Sequence, residues 1–185
     1  MTVRTDLDHR FRDAAVALAL LDAAYDVVDS PIGPLLLAAT NRGLLRISFD
    51  PEPEHHLERL ARLAGPRVLR APRAVELVRR ELDEYFDGGR RALDLSVDLR
   101  GTPPFTAHVL EELARVPYGK TATYGELASR VGRPRAARAI GTVMHNNPIP
   151  IVLPCHRIVG ASGSLVGYAG GLDIKERLLR LEGVL

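Results

Sequence analysis

The stretch IVLPCHRIVG (residues 151–160) places Cys155, the single cysteine of the chain, between a proline and a His–Arg pair. A cysteine attacks as its thiolate, so a reactive one needs a nearby base or positive charge. His156 is the nearest candidate base. Adjacent side chains of a regular strand point to opposite faces, so contact requires a turn here, or one water that bridges Sγ and the imidazole. The alternative is that Cys155 is a small, inert core residue.

An imidazole that accepts a proton needs a carboxylate behind it, which fixes the tautomer and stabilises the positive charge. No acidic residue lies near His156 in the sequence, and the first candidates after it are Asp173, Glu176 and Glu182, all in the predicted last helix. Asn147 precedes a proline and can brace the turn with its side-chain amide. These residues alone leave a reactive and a structural cysteine both open.

Two short predicted helices precede this stretch, TYGELASRVG (123–132) and RAARAIGTVMHNN (135–147). They are joined by a tight turn that contains Gly132 and Pro134, and such a pair is typical of a helix-turn-helix. A helix-turn-helix binds DNA in many proteins, but helix pairs are also common as plain structural units. The motif therefore favours DNA binding without deciding it.

The second of these helices has one face of small residues edged by arginine, while Ile140 and Val143 can point inward. Such a face lets another backbone come close, which suits either a nucleic-acid groove lined by phosphate or tight helix packing. The residues on and beside this face are Arg135, Ala137, Arg138, Gly141, Thr142 and Met144.

The charge of the chain is unevenly distributed, although the net charge is only +2. Between Leu127 and Leu172 there is no acidic residue, which leaves the rest of the chain mildly acidic. This segment indicates either an anionic partner or a solvated basic face. Its five arginines are Arg130, Arg133, Arg135, Arg138 and Arg157.

The N-terminal half reads as a small α/β unit. Residues 25–50 form three apolar runs separated by the turn sequences SPIGP and NRG, which predicts three short strands. The apolar spacing predicts helices at 54–65 and 71–89, and alternation at 92–99 predicts one more strand. The fold class expected is therefore α/β, with a three- to four-stranded, mainly antiparallel sheet followed by a mostly helical domain that contains the helix-turn-helix.

The sequence RGTPP (100–104) is the natural joint between two domains, and a helix at 105–116 follows it. The apolar run 14–21 could pass for the core of a signal peptide, but aspartates precede and follow it, so we expect a short N-terminal helix. The predicted parts are an N-terminal extension (1–24), an N-terminal α/β domain (25–100) and a C-terminal domain (101–185).

Composition excludes several classes of protein. The chain has 185 residues, of which 46% are hydrophobic and 26% charged, as in an ordinary globular protein. A single cysteine excludes an intrachain disulfide and a cysteine-rich metal site, and it fits a reducing compartment. No apolar run approaches the roughly 20 residues that span a bilayer. We therefore expect a cytoplasmic protein with no membrane partner.

Three blocks of the C-terminal half resemble the O6-alkylguanine-DNA alkyltransferases, also called methylated-DNA–protein-cysteine methyltransferases. The run PCHR, with NNPIPIV before it and VGASGSLVGYAGGLDIKERLLRLEG after it, is similar to their active-site signature. The upstream runs VPYGKTATYGELA and GRPRAARAIG are similar to their DNA-binding helices. The resemblance is specific from about residue 105 to residue 183 and looser before that, where SPIGPLLLA is suggestive.

This resemblance implies a suicide DNA-repair reaction in which the protein flips an alkylated guanine out of the duplex and moves the alkyl group irreversibly to its own cysteine. The implied catalytic residues are Cys155, His156, Glu182, Asn147 and Tyr124. The implied DNA-binding residues are Tyr124, Arg135, Ala137, Arg138, Gly141 and Thr142. The implied pocket residues are Met144, Ile158, Tyr168 and Ala169.

The resemblance also implies individual roles. Cys155 is the acceptor and His156 the base acting through water, with Glu182 behind it. Arg138 enters the base stack in place of the extruded base, and Tyr124 presses on the 3′ phosphate and hydrogen-bonds the base. Asn147 ties the network together. Arg157 holds the turn rather than touching substrate, and the main chain of Ile158 and Ala169 meets the guanine edge.

The expected partner is double-stranded DNA containing O6-alkylguanine, bound through the minor groove by a protein that is monomeric in solution. The chain departs from the family by having no tryptophan in the helix after the joint and Ala169 where serine is common. It also lacks the cysteines by which some members bind zinc, so we expect no metal and no cofactor.

Three other functions fit parts of the sequence. A non-repairing sensor of the alkyltransferase-like type would bind the lesion, but such proteins lack the acceptor cysteine. A cysteine hydrolase would need an oxyanion hole, for which the sequence has no other sign. A methylation-switched transcription factor would need further cysteines. Suicide repair is therefore the function that the sequence favours.

Overall fold

The computed structural model describes residues 2–185, with side chains at positions 7 and 8 and from 10 onward. The helices are α1 (Thr2–Ala17), α2 (Glu54–Ala64), α3 (Glu76–Phe86), α4 (Pro104–Ala114), α5 (Tyr124–Arg130), α6 (Ala137–His145) and α7 (Leu172–Leu181). The strands are β1 (Ala23–Val28), β2 (Leu35–Thr40), β3 (Gly43–Ser48), β4 (Val68–Arg70), β5 (Ala122–Thr123) and β6 (Ile158–Val159). Two 3₁₀ turns are Pro72–Val75 and Cys155–Arg157.

The chain divides into two compact units. The N-terminal unit runs to residue 84 and takes in residues 94–100, and the C-terminal unit comprises residues 85–93 and 101–185. The predicted domains, 25–100 and 101–185, differ from these units in one segment. Residues 85–93, placed by the prediction in the N-terminal domain, group with the C-terminal residues.

A four-stranded sheet forms the N-terminal unit, in the order β3-β2-β1-β4. The pairs β1–β2 and β2–β3 are antiparallel, and β4 adds to β1 in parallel. Strand β2 (LLLAAT) is apolar up to Thr40 and buried along almost its whole length, and on one of its faces Leu36 and Ala38 pack with Leu60 of α2. The predicted fold class is confirmed, and the parallel strand β4 is an element that the sequence pattern did not predict.

The predicted strand at 92–99 is wrong as a regular strand. The exposure of its side chains alternates as the pattern requires, but it pairs with β3 at a single bridge, Leu44 with Val97. Two hydrogen bonds hold it there, from Leu44 N to Ser96 O and from Asp98 N to Leu44 O, both 2.8 Å. The segment 92–99 can come this close to β3 only because residue 43 is glycine (φ 137°), where a Cβ would lie 2.3 Å from Ser96 O. Alternation thus identified Leu93, Leu95 and Val97 as the less exposed side chains, but it missed the buried Asp98 and could not show how far the pairing extends.

The predicted helices are largely confirmed. The helix at 71–89 begins as the 3₁₀ turn and continues as α3, with Val75, Val78, Leu82 and Tyr85 buried as the spacing requires. The short helix expected at 14–21 is displaced, because α1 ends at Ala17 and the chain turns at 18–19.

The C-terminal unit contains the predicted helix-turn-helix, α5 and α6. Thr123 and Glu126 form a capping box that starts α5, with Glu126 N donating to Thr123 Oγ1 at 3.1 Å and Thr123 N to the Glu126 carboxylate at 2.6 Å. Gly132 (φ 70°) takes the left-handed conformation that ends this first helix. The two-residue strands β5 and β6 pair in parallel, which fixes the segment after the cysteine beside the start of α5.

Candidate active site

Cys155 begins the 3₁₀ turn Cys155–Arg157, immediately after Pro154. The sequence required a turn here if Cys155 and His156 are to act together, and this turn meets that condition, because adjacent side chains on a turn need not point to opposite faces. The cysteine is the free thiol of the chain and is buried, with 3% of its surface exposed. Ile151 adopts a positive φ of 75° shortly before it, an unusual conformation for a β-branched residue.

Asn147 holds the sulfur from the end of α6. Its Nδ2 donates to Leu153 O at 2.8 Å and to Cys155 Sγ at 3.1 Å, while its Oδ1 accepts from Ile149 N at 3.1 Å. The amide is buried, so each of these bonds forms without competition from water. Asn147 therefore fixes both the backbone before the cysteine and the sulfur itself.

His156 is fully buried and binds Glu182 through one ring nitrogen. Its Nε2 lies 2.8 Å from Glu182 Oε1, and its Nδ1 has no hydrogen-bond partner among the described residues. A neutral imidazole next to an ionised carboxylate carries its proton on Nε2, so Nδ1 is the acceptor nitrogen. His156 therefore has a free nitrogen, Nδ1, that can accept a proton.

Glu182 follows α7 as its C-terminal cap and is surrounded by donors. Arg157 contributes three hydrogen bonds, from Nε to Oε1 (3.2 Å) and Oε2 (2.9 Å) and from Nη2 to Oε1 (2.8 Å), and its Nη1 donates to Val116 O at 2.6 Å. Tyr85 OH donates to Oε1 at 2.8 Å and Gly119 N to Oε2 at 3.2 Å. A carboxylate with this many donors is held in one orientation.

These contacts set the protonation of the site. Burial alone would raise the pKa of Glu182, but the hydrogen bonds from His156 and Arg157 and their charges outweigh it and lower the pKa to about 2. Burial lowers the pKa of His156 in spite of the Glu182 carboxylate, so the imidazole is neutral at pH 7. Burial raises the pKa of Cys155 to about 11, against the opposing effects of Asn147 and Lys175. The resting state is a thiol beside a neutral imidazole.

Lys175 is a fully buried cation close to this group. Its Nζ donates to Ile158 O at 2.6 Å and to Val166 O at 2.8 Å, so it joins the two ends of the segment between them. Burial lowers its pKa to about 8, and its charge lowers that of Cys155. Lys175 therefore stabilises both the loop and the thiolate form.

Two family models match the chain, and together they span almost all of it after α1. The model described as 6-O-methylguanine DNA methyltransferase, ribonuclease-like domain, covers residues 23–99, and the model of the same family's DNA binding domain covers residues 104–184. The chain belongs to the 6-O-methylguanine DNA methyltransferase family. The resemblance carried by the three sequence blocks is thereby confirmed.

Individual members of this family are similar over nearly their whole length. Methylated-DNA–protein-cysteine methyltransferases of Methanosarcina barkeri and Mycobacterium bovis are each 42% identical, over 85% of this chain and 96% and 91% of theirs. The crystal structure of Mycobacterium tuberculosis OGT in complex with DNA has a TM-score of 0.75 at 40% identity, covering 86% of this chain and 92% of that one.

The 6-O-methylguanine DNA methyltransferase fold places the predicted site residues in two groups. The first surrounds the sulfur, where Cys155, His156, Asn147 and Glu182 are brought together as described above. The second lies on α6 and, at Arg135, on the turn just before it, and Ile140 and Val143 of α6 are buried as expected. Its predicted DNA-binding residues are exposed at Arg135, Arg138 and Thr142 and half-buried at Ala137 and Gly141.

The remaining predicted residues lie between or beside these groups. Tyr124 is half-buried in the first turn of α5, and its pKa is raised by burial and by the nearby charge of Cys155. Tyr168 lies edge-on to His156, with ring centroids 6.5 Å apart. The list is completed by Met144, which is buried, Ile158, whose carbonyl accepts from Lys175, and Ala169, which is exposed.

Sequence reasoning missed Tyr85, Lys175 and the ion pair of Arg157 with Glu182. A signal for two of these residues was present in the last helix, where Lys175, Leu178, Leu179 and Glu182 recur at helical spacing. All four are buried. A lysine and a glutamate on an apolar face must find partners, so that pattern could have identified both. Tyr85 ends an apolar face in another helix, and nothing in the sequence links it to Glu182.

Two negative findings concern residues 2–185. Among the side chains that the structure describes, no group of three or more His, Cys, Asp or Glu is placed to hold a metal ion. No helix of that stretch is long and apolar enough to cross a bilayer.

Proposed function

We propose that this protein repairs O6-alkylguanine in DNA by transferring the alkyl group to Cys155 in a single irreversible step. The observation that carries the proposal is a turn on which two adjacent residues are each held by a buried partner, the sulfur of Cys155 by Asn147 and the ring of His156 by Glu182. The names of the relatives, methylated-DNA–protein-cysteine methyltransferases, support the same activity.

The thiol is activated by transfer of its proton to His156. The acceptor nitrogen Nδ1 is buried, and one water bridging it to Sγ supplies the path. The imidazolium that forms is stabilised by the Glu182 carboxylate at 2.8 Å. The thiolate is stabilised by the amide of Asn147 at 3.1 Å and by the buried charge of Lys175. Each charge that develops therefore has a partner already in place.

The alkyl transfer is an in-line displacement at the alkyl carbon. The new bond joins Sγ to that carbon, and the bond from the carbon to guanine O6 breaks, with its electron pair passing to the base. Tyr124, whose raised pKa keeps its hydroxyl protonated, donates a hydrogen bond and a proton to the departing guanine. The guanine gains this one proton, and the thiol proton held by His156 then returns to Tyr124 through solvent, so both side chains end neutral as they began. The thioether is stable to water, so each chain reacts once.

The α6 surface is the part that binds DNA, through the minor groove. A Cβ at Gly141 would lie 3.9 Å from Tyr124 Cε1, an ordinary contact, so packing on Tyr124 does not itself demand glycine there. The small face suits close approach of a DNA backbone instead, with Arg135 beside it to meet phosphate. Arg138 is exposed and enters the stack in place of the extruded base. Met144, Tyr168 and the main chain of Ile158 and Ala169 then line the base pocket.

A sensor that binds lesions without repairing them is not favoured, because it has no use for a buried thiol with a base and a bound amide. We further propose that the protein acts as a monomer in the cytoplasm. One chain supplies every group named above, and a free thiol persists in a reducing compartment.

The proposal is tested by mixing the protein with an oligonucleotide that carries one O6-methylguanine and measuring the intact mass. The expected gain is one methylene per chain, located on the Cys155 peptide and saturating at one equivalent, with no gain for Cys155→Ala. Tight binding to the lesion without any gain would make the protein a sensor, and a gain on another residue would overturn the role of Cys155.

A further inference from the structure

Tyr85 reaches the active-site carboxylate from a distant part of the sequence. It is the penultimate residue of α3, is 1% exposed, and begins the segment 85–93 that belongs to the C-terminal unit. Its ring packs edge-on against Tyr118, with centroids 6.1 Å apart and an interplanar angle of 84°. Its hydroxyl donates to Glu182 Oε1 at 2.8 Å, across 97 residues of chain. The ring contacts fix where this donor lies.

Oε1 of Glu182 is the same oxygen that binds His156 Nε2. Both bonds are 2.8 Å long, and Arg157 Nη2 donates to that oxygen at 2.8 Å as well. Arg157 Nε adds a fourth, longer bond at 3.2 Å, and a carboxylate oxygen shared among several donors gives less of its negative charge to each of them. The Tyr85 hydroxyl therefore weakens the interaction that would favour a charged imidazole.

Several other groups around His156 raise or lower its pKa. Burial and the charges of Arg157 and Lys175 lower its pKa, whereas Glu182 raises it. Two further titratable side chains are Cys155, adjacent in sequence, and Tyr168, in ring contact, and Tyr168 stays protonated because burial raises its pKa well above the ordinary value. Burial raises the pKa of Tyr85 itself, so its hydroxyl donates throughout the range in which the histidine titrates.

We infer that Tyr85 is a positioning residue for the alkyl transfer, whose hydroxyl shares Glu182 Oε1 with His156 and so keeps the imidazole in its neutral, proton-accepting form. The inference rests on the proposed function and adds a specific task for the segment 85–93. It also explains why a tyrosine rather than a phenylalanine occupies this buried position.

Tyr85→Phe tests the inference, because it keeps the ring and removes only the hydroxyl. Tyr118→Phe is the matched control, since its hydroxyl donates to Leu181 O at 2.9 Å and not to the carboxylate. Two quantities are measured against pH for each protein. One is the titration of the His156 ring by ¹⁵N NMR, and the other is the single-turnover rate of methyl transfer from an O6-methylguanine oligonucleotide.

Tyr85→Phe is expected to move the His156 titration, and the acid limb of the rate profile with it, upward by about half a pH unit or more. The control is expected to leave both where they are in the wild type. A rate that falls equally at every pH, an unmoved titration, or the same movement in both variants would overturn the inference. If the wild type takes up no methyl group, the proposed function fails, and the NMR titration still decides what Tyr85 does to His156.

Discussion

Replacing Glu182 by glutamine removes the buried charge on which the active-site network depends while keeping the shape of the side chain. The pKa of Glu182 falls from an ordinary value of 4.5 to about 2 on folding, and each unit corresponds to about 1.36 kcal/mol. The carboxylate therefore contributes about 3 kcal/mol to stability at pH 7. The loss of stability expected from breaking the ion pair is of similar size, because leaving a buried partner such as Arg157 unpaired typically costs about 3–5 kcal/mol.

The sign of the pH dependence follows from the lowered pKa. A group of this kind stabilises the fold fully above its unfolded pKa of 4.5, and the contribution is lost as the pH falls toward 2. The difference between wild type and Glu182→Gln should therefore shrink from about 3 kcal/mol at pH 7 to roughly half of that at pH 3.

Urea unfolding followed by far-ultraviolet circular dichroism at both pH values measures this difference. Glu176→Gln is the matched control on the same helix, because its ion pair with Arg180 is exposed and should be worth less than about 1 kcal/mol. A stability loss below about 1 kcal/mol for Glu182→Gln at pH 7, or a loss as large at pH 3 as at pH 7, would contradict this role of the Glu182 carboxylate.

Three further predictions concern the thiol, the buried cation and the DNA surface. Asn147→Ala should raise the pKa of the catalytic thiol and slow its reaction with iodoacetamide at pH 8 about tenfold, whereas the exposed neighbour Asn146→Ala should leave that rate unchanged. The pKa of Lys175 is about 8 in the folded protein and 10.5 in the unfolded chain, so between these pH values only the unfolded chain keeps the proton on this lysine. The free energy of unfolding of the wild type should therefore rise relative to that of Lys175→Met as the pH rises from 8 to 10.5, which urea titrations measure. Arg138→Ala should slow methyl transfer from duplex DNA tenfold or more without changing the iodoacetamide rate, and Arg180→Ala should change neither; an equal loss in both assays would contradict a role confined to DNA.

Local sequence patterns were enough to predict most helices and strands and to single out Cys155 with its neighbouring histidine. Helical spacing placed Val75, Val78 and Leu82 on one buried face, and the turn residues around Gly132 separated the two helices of the helix-turn-helix. These features depend on neighbours within a few residues, so the pattern alone specifies them. His156 was visible as the nearest candidate base to Cys155 for the same reason, since the two are adjacent.

The hydrogen-bond partners of His156 and Glu182 could be identified only from long-range packing. Three acidic residues followed His156 in the sequence, and the network around it comes from the end of α3, the start of the turn before α5, and the cap of α7. Tyr85 lies 97 residues from Glu182, and no periodic pattern reports a contact of that range. The strand expected at 92–99 failed for a related reason, because alternation describes one segment, whereas a ladder requires a partner of matching length. Local spacing therefore predicted which residues are buried, and long-range packing decided which buried polar groups meet.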